Sequence, residues 1–351
     1  MIKKHDEEVY DMIIVGSGPA GLFAAFYAGL REMSVKIIES QPRLGGKVHV
    51  YPEKMIWDIG GLTPVTGQQL IEQMIEQGLT FNPTVSLSET VTQIDKNDAG
   101  VFQIETSQNN VHYAKTLMLA VGGGILDPIK LELEGADAYE HGNLYYSVKK
   151  MQAFKDKRVL ISGGSGSAVD WANMLAPIAK QVTLIYRGDA LKAHEADITK
   201  LGKNGVEFLT HTEIVECVGE GQHIHAATLL NSQTEETTSI AVDAVLVNHG
   251  YKRDQTLLRE SQLDIDLKDG YFIQGTPNGE SSIPGLYGAG DILSHEGKLN
   301  LIAGAYQDAV NAVNCAKQYL DPEANQRGLV SSHNHIFAEK NKKYLYGALA
   351  E

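Results

Sequence analysis

A chain of 351 residues with 43% hydrophobic side chains can fill two cores, so two domains of ordinary size are expected. Its formal net charge of −14 excludes nucleic acid and anionic membrane as partners, because both are captured by basic surface. No run reaches the roughly 18 apolar residues of a bilayer span, and the opening MIKKHDEEVY leads into a strand pattern rather than a signal-peptide core; a cytoplasmic protein is expected. The two cysteines, Cys217 and Cys315, lie far apart without C-x-x-C spacing, which argues against a disulfide framework, a metal site or a local redox pair.

The first element is a strand, a glycine turn, a helix and a second strand, DMIIVGSGPAGLFAAFYAGLREMSVKIIES. Its apolar run enters Gly16-x-Gly18-x-x-Gly21, with Pro19 and Ala20 inside the turn. Glycines at these places allow the sharp turn, the close approach of main chain to a pyrophosphate and tight packing of helix on strand, and the helix N-terminus faces the anion. Glu39 ends the second strand, where a carboxylate accepts hydrogen bonds from the ribose of an adenosine. The alternative for the turn alone is a purely structural one. Short alternating strands follow, VTQIDK, VFQIETS and HYAKTLMLAV, read as antiparallel additions, and the glycines at 122–124 mark a turn.

The same order of elements returns in KRVLISGGSGSAVDWANMLAPIAKQVTLIYRG. Here the turn reads Gly163-Gly164-Ser165-Gly166-Ser167-Ala168, with serine where the middle glycine is expected. Tyr186 and Arg187 stand where the first repeat has its acid. An arginine there suits a 2′-phosphate, so NADPH is favoured, with NADH as the less preferred donor; His194 is close enough in sequence to help hold the phosphate. Surface decoration is the alternative for both residues. Further short strands lead to IPGLYGAGDIL and a helix over roughly 299–319. Asp291 is placed to bind the ribityl chain of a flavin, or to cap that helix, whose N-terminus favours the charge of a reduced flavin. The fold class is therefore α/β, with two Rossmann-like β-α-β nucleotide-binding domains and small antiparallel additions. The NADPH-binding domain, 123–251, is inserted into an FAD-binding domain formed by 1–122 and 252–351.

Gly16-Ser17-Gly18-Pro19-Ala20-Gly21, Glu39, Leu44-Gly45-Gly46, Tyr51-Pro52-Glu53-Lys54, the second glycine turn, Ala193-His194-Glu195 and GAGD before GKLNLIA closely resemble the thioredoxin-reductase-like ferredoxin–NADP⁺ reductases over nearly the whole chain. Where a thioredoxin reductase carries its C-x-x-C, this chain reads Tyr146-Ser147-Val148-Lys149. The resemblance implies that electrons leave directly from the flavin and that no side-chain acid or base is needed. It implies FAD contacts at Glu39, Gly46, Lys47, Tyr51, Val91, Leu126, Asp291 and Ser332, with Tyr51 stacked on the flavin ring; simple core packing is the alternative for Tyr51. Lys47 replaces the family's glutamine, Leu126 its phenylalanine and Val330 a histidine that covers the flavin. In the coenzyme half, paired arginines become Arg187-Gly188 and a further arginine becomes Lys192, which relaxes the preference for NADPH. The resemblance also implies a hinge at the two interdomain crossings, near 122–124 and 250–254, a ferredoxin or flavodoxin-like electron carrier as partner, and a homodimer; the tail with Phe337, Tyr344 and Tyr346 either contributes to that dimer or is disordered. Lys340, Lys342 and Lys343 form either a docking patch for an acidic carrier or a solvated tail. Reduction of a quinone, free flavin or other acceptor, and a non-catalytic FAD-binding redox sensor, are the alternative functions.

Overall fold

The computed structural model describes residues 8–62, 64–124, 127–252, 256–325, 331, 335–338 and 341–342. The chain divides into two compact units. One comprises Met1–His49, Lys54–Ile125 and Arg253–Glu351, the other Val50–Glu53 and Leu126–Lys252. In chain order the elements that build the sites are β1 (Val9–Val15), α1 (Pro19–Leu30), β2 (Val35–Ile38), β3 (Thr84–Ser86), β4 (Val111–Leu119), β5 (Arg158–Ser162), α2 (Gly166–Leu175), β6 (Gln181–Ile185), β7 (Ala244–Val247), β8 (Leu286–Gly288) and α3 (Ile302–Leu320).

The first unit is organised by a parallel stretch in the order β3-β2-β1-β4-β8. Ile14 of β1 pairs with Ile37 on one side and Met118 on the other, and Met118 pairs with Tyr287. These strands read as continuous apolar runs because both faces are covered. Tyr10, Ile13, Val15, Leu117 and Leu119 join Phe102, Tyr271 and Ile273 in a buried core. Helices α1 and α3 pack on one another, with the Phe23 and Tyr306 rings 4.9 Å apart. Strand β4 is shared along its length: its first half pairs antiparallel with Phe102–Thr106, its last three residues parallel with β8.

The second unit repeats the design. Glu207–Leu209, β6, β5, β7 and Leu144–Tyr145 form a five-stranded parallel sheet in that order. Trp171 and Val169 of α2 close a core with Ile161, Leu184 and Leu246. An antiparallel sheet of Thr212–Glu220, His223–Asn231 and Thr237–Ala241 is appended. No helix among the described residues is long and apolar enough to cross a membrane.

Candidate nucleotide-binding sites

The two glycine turns are one main-chain design built twice. Gly16 (φ 99°) donates its amide to Ile38 O at 2.9 Å, and a methyl group on it would lie 2.5 Å from Ala120 O. Gly163 donates to Ile185 O at 3.0 Å, and a methyl there would lie 2.4 Å from Asn248 O. The neighbouring strand is attached identically, by Ala120 N to Val15 O and by Asn248 N to Ser162 O, both at 2.8 Å. One step further, Glu39 N reaches Ser86 O and Tyr186 N reaches Leu209 O, both at 2.9 Å. Tyr186 is therefore the positional counterpart of Glu39.

In the first unit Glu39 is 6% exposed. Its Oε2 accepts the Ser17 amide at 2.9 Å and the Ser17 hydroxyl at 2.6 Å, and its Oε1 accepts the Gln41 amide at 2.9 Å and the Ser40 hydroxyl at 3.2 Å. The carboxylate thus ties the end of β2 to the turn after β1. Ser17 O in turn accepts the Gly45 amide at 3.0 Å, which brings Leu44–Gly46 onto the turn. Pro19 opens α1, and Gly18 precedes it without a side-chain cap, so the first-turn amides remain open to an anion. Lys47 is exposed in the short helical turn Gly46–Val50. At the other side Asp291 is exposed in the turn Gly290–Ile292 that follows β8, and its carboxylate accepts no hydrogen bond from the described residues. Glu39 and Asp291 lie beyond the ends of β2 and β8, three strand spacings apart, roughly 14 Å at the usual interstrand distance. A row of parallel strand ends with an acid at one side, an anion-binding helix in the middle and a second acid at the far side fits an extended dinucleotide such as FAD.

Two of the expected contacts, Val91 and Tyr51, pack within apolar clusters. Val91 is 6% exposed and belongs to the core, which leaves only its main chain to meet a ligand. Tyr51 packs against the core of the second unit, next to Glu53, whose Oε2 accepts the Met151 amide at 2.6 Å; Trp57 is 67% exposed. Leu126, Val330, Ser332, Lys340, Lys343, Tyr344 and Tyr346 lie outside the described residues. Phe337 places its ring 5.6 Å from Phe81 and 6.4 Å from Phe26.

In the second unit Ser165, Gly166 and Ser167 are exposed at the start of α2, while Gly163, Gly164 and Ala168 are buried. The Lys192 amide donates to Gly164 O at 2.8 Å, and Lys192 bridges Ser165. This strap holds the exposed side chains of Arg187, Lys192 and His194 on the segment bound to the turn. His194 immediately precedes the helix Glu195–Lys203. The ring of Tyr186 lies between two glycines: methyl groups on Gly164 and Gly188 would meet it at 2.4 and 2.6 Å. At the end of β7, His249 Nε2 is 2.8 Å from Ser162 Oγ. Burial, then the positive charge of Arg187, hold this imidazole below its ordinary range, so it is neutral at pH 7.

Sequence reasoning did not find the parts played by Ser17, the Tyr186 ring and His249. Alignment of the two turns would have signalled the first two, because Ser17 beside Glu39 corresponds to Gly164 beside Tyr186. Burial, aided by Glu216, pushes the Cys217 thiol up to about 11, and burial with Glu280 raises Cys315. Both thiols are protonated at neutral pH and poor nucleophiles.

A family model described as pyridine nucleotide-disulphide oxidoreductase matches residues 10–316. The ferredoxin–NADP reductase 1 of Oceanobacillus iheyensis is 56% identical over 98% of this chain and 99% of its own. That of Bacillus licheniformis is 55% identical over 96% and 97%. Among solved structures, the T. acidophilum thioredoxin reductase matches with a TM-score of 0.77 at 25% identity, over 91% of this chain and 100% of that one.

Proposed function

Since this chain belongs to the pyridine nucleotide-disulphide oxidoreductase family, we propose that it is an FAD-dependent reductase that carries electrons from NADPH to ferredoxin or a similar small one-electron carrier. The observation that carries this reading is the pair of congruent glycine turns with opposite chemistry at the matched strand ends, Glu39 in one unit and Tyr186-Arg187 in the other. The carboxylate suits free ribose hydroxyls and the guanidinium suits a 2′-phosphate. FAD and NADPH are accordingly assigned to the first and second units. The names of the two bacterial relatives, at more than half identity over nearly the whole chain, favour ferredoxin as acceptor, with flavodoxin as the alternative carrier.

FAD, when bound, accepts two electrons as hydride and returns them singly. The residues of this chain bind and orient. Gly16, Gly18, Pro19, Ala20, Gly21 and Gly46 frame the pyrophosphate position, Glu39 holds Ser17 and faces the adenosine end, and Asp291 faces the ribityl end. Gly163 to Ala168 frame the second pyrophosphate position, flanked by Arg187, Lys192 and His194. The thiols Cys217 and Cys315 take no part, because each is held protonated. A cytoplasmic homodimer completes the proposal.

Anaerobic mixing with NADPH tests it. The flavin absorbance should bleach and then recover on addition of oxidised ferredoxin; bleaching followed by recovery with quinone alone would reassign the acceptor, and no bleaching would overturn the enzyme.

A further inference from the structure

Three ionisable side chains that play no part in the reading above meet beneath the turn that presents Asp291. Lys298 Nζ donates to Gly290 O at 2.8 Å and pairs with Asp308 Oδ2. The same Oδ2 accepts the Gly290 amide at 3.0 Å, and His295 Nε2 lies 3.4 Å from Asp308 Oδ1. Their side chains are 10%, 6% and 9% exposed for Lys298, Asp308 and His295. Burying such a group of charges is costly, and apolar residues of similar volume often hold elements together equally well. Stability alone is therefore a poor account of the cluster. What it does locally is satisfy both main-chain groups of Gly290 and fasten them to α3.

We propose that Lys298 and Asp308 clamp the Gly290–Asp291 turn in its ligand-receiving shape, with His295 fixing the second oxygen of Asp308. The inference rests on the assignment of FAD to the first unit. Both residues act through Gly290 and are positioning residues. The clamp serves the flavin end: Glu39 follows β2, three strand spacings from β8, whereas Gly290 follows β8 and lies against Ala20, where a methyl on Gly290 would meet the Ala20 Cβ at 3.2 Å. Loss of the clamp should weaken the flavin end and spare the adenosine end.

The test is calorimetric titration of the full-length chain, freed of flavin, with FAD and separately with ADP. Lys298→Met leaves Asp308 uncompensated, and Lys298→Met with Asp308→Asn restores charge balance. FAD affinity should fall about ten- to a hundredfold in both variants while ADP affinity shifts by less than about twofold, and thermal stability should recover in the double variant. FAD and ADP affinities that fall together, or wild-type FAD affinity in the double variant, would overturn the clamp. Hydrogen exchange on the wild type needs no variant to fold: the Gly290 amide should be protected before FAD is added, and protection only afterwards also overturns the clamp. A wild-type chain that takes up neither FAD nor ADP overturns the flavin assignment itself.

Discussion

The Tyr186 ring lies directly on Gly164, the residue that corresponds to Ser17, just as the Glu39 carboxylate lies on Ser17 in the other unit. One unit fills the space beside its glycine turn with an acid and a hydroxyl, the other with a phenol and bare main chain. Gly188 follows from the same packing. A side chain there would enter the ring, so the second arginine of the resembling family has no room while Tyr186 stays in place.

Under the proposed assignment of NADPH to the second unit, coenzyme discrimination falls on Arg187 together with Lys192 and His194. Arg187→Ala should lower kcat/KM for NADPH about 10- to 150-fold, the size of a lost charge-assisted hydrogen bond, and leave the value for NADH nearly unchanged. Steady-state kinetics with both donors measure this, and an equal loss with each would make Arg187 a structural residue. Gly188→Arg should act differently and impair both donors, because it displaces the Tyr186 ring from the turn.

Glu39→Ala should produce protein with a reduced ratio of flavin to protein absorbance. The substitution strips Ser17 of the acceptor for its amide and its hydroxyl, at a cost of about 1–3 kcal/mol for each buried group left unsatisfied. Glu39→Gln keeps one carbonyl oxygen and should retain more flavin. Full retention in the alanine variant would remove Glu39 from the site.

Much of this architecture is legible in the sequence, and the residues show why. Strands such as MIIV and VKII announce a parallel sheet because both faces are buried, and Gly16-x-Gly18-x-x-Gly21 announces a turn because few other residues fit it. Sequence reveals that Glu39 carries a charge but not which donors occupy its lone pairs. Tyr51 sits in a short segment without periodicity, so nothing local shows that it packs on the second unit. Lys298 and Asp308 are likewise opaque, since burial alone separates them from ordinary surface charges.

Glu89 should dominate part of the acid limb of stability. Burial alone would raise its carboxyl, but hydrogen bonds from Asn110, Thr106, His112 and Ser86 outweigh it and bring the value from 4.5 to about 2. The folded value lies below the unfolded one, so the stabilisation is complete above about pH 4.5 and is lost as pH falls towards 2. Thermal melts across this window should fall less steeply for Glu89→Gln than for wild type; parallel curves would exclude Glu89. The Glu89 amide binds Glu39 O at 3.0 Å, so flavin release should accompany this loss.

The double variant Cys217→Ser, Cys315→Ser should keep NADPH-driven reduction of a one-electron acceptor within about twofold of wild type, because both thiols are protonated at neutral pH. Loss of turnover in a folded variant that retains its flavin would reveal thiol chemistry.

The shared length of β4 has a consequence for assembly on the ribosome. Strands β1 to β4 emerge early, yet the last three residues of β4 wait for β8, which follows the whole second unit in synthesis. Closing so long an intervening segment costs little more free energy than closing one half as long, only about 0.6 kcal/mol per doubling. Time is the larger cost, since domains fold largely in the order of synthesis. The second unit is complete before its host, and the Asp291 turn reaches the sheet last. A nascent chain halted before Leu286 should therefore contain a finished second unit and an unfinished first one.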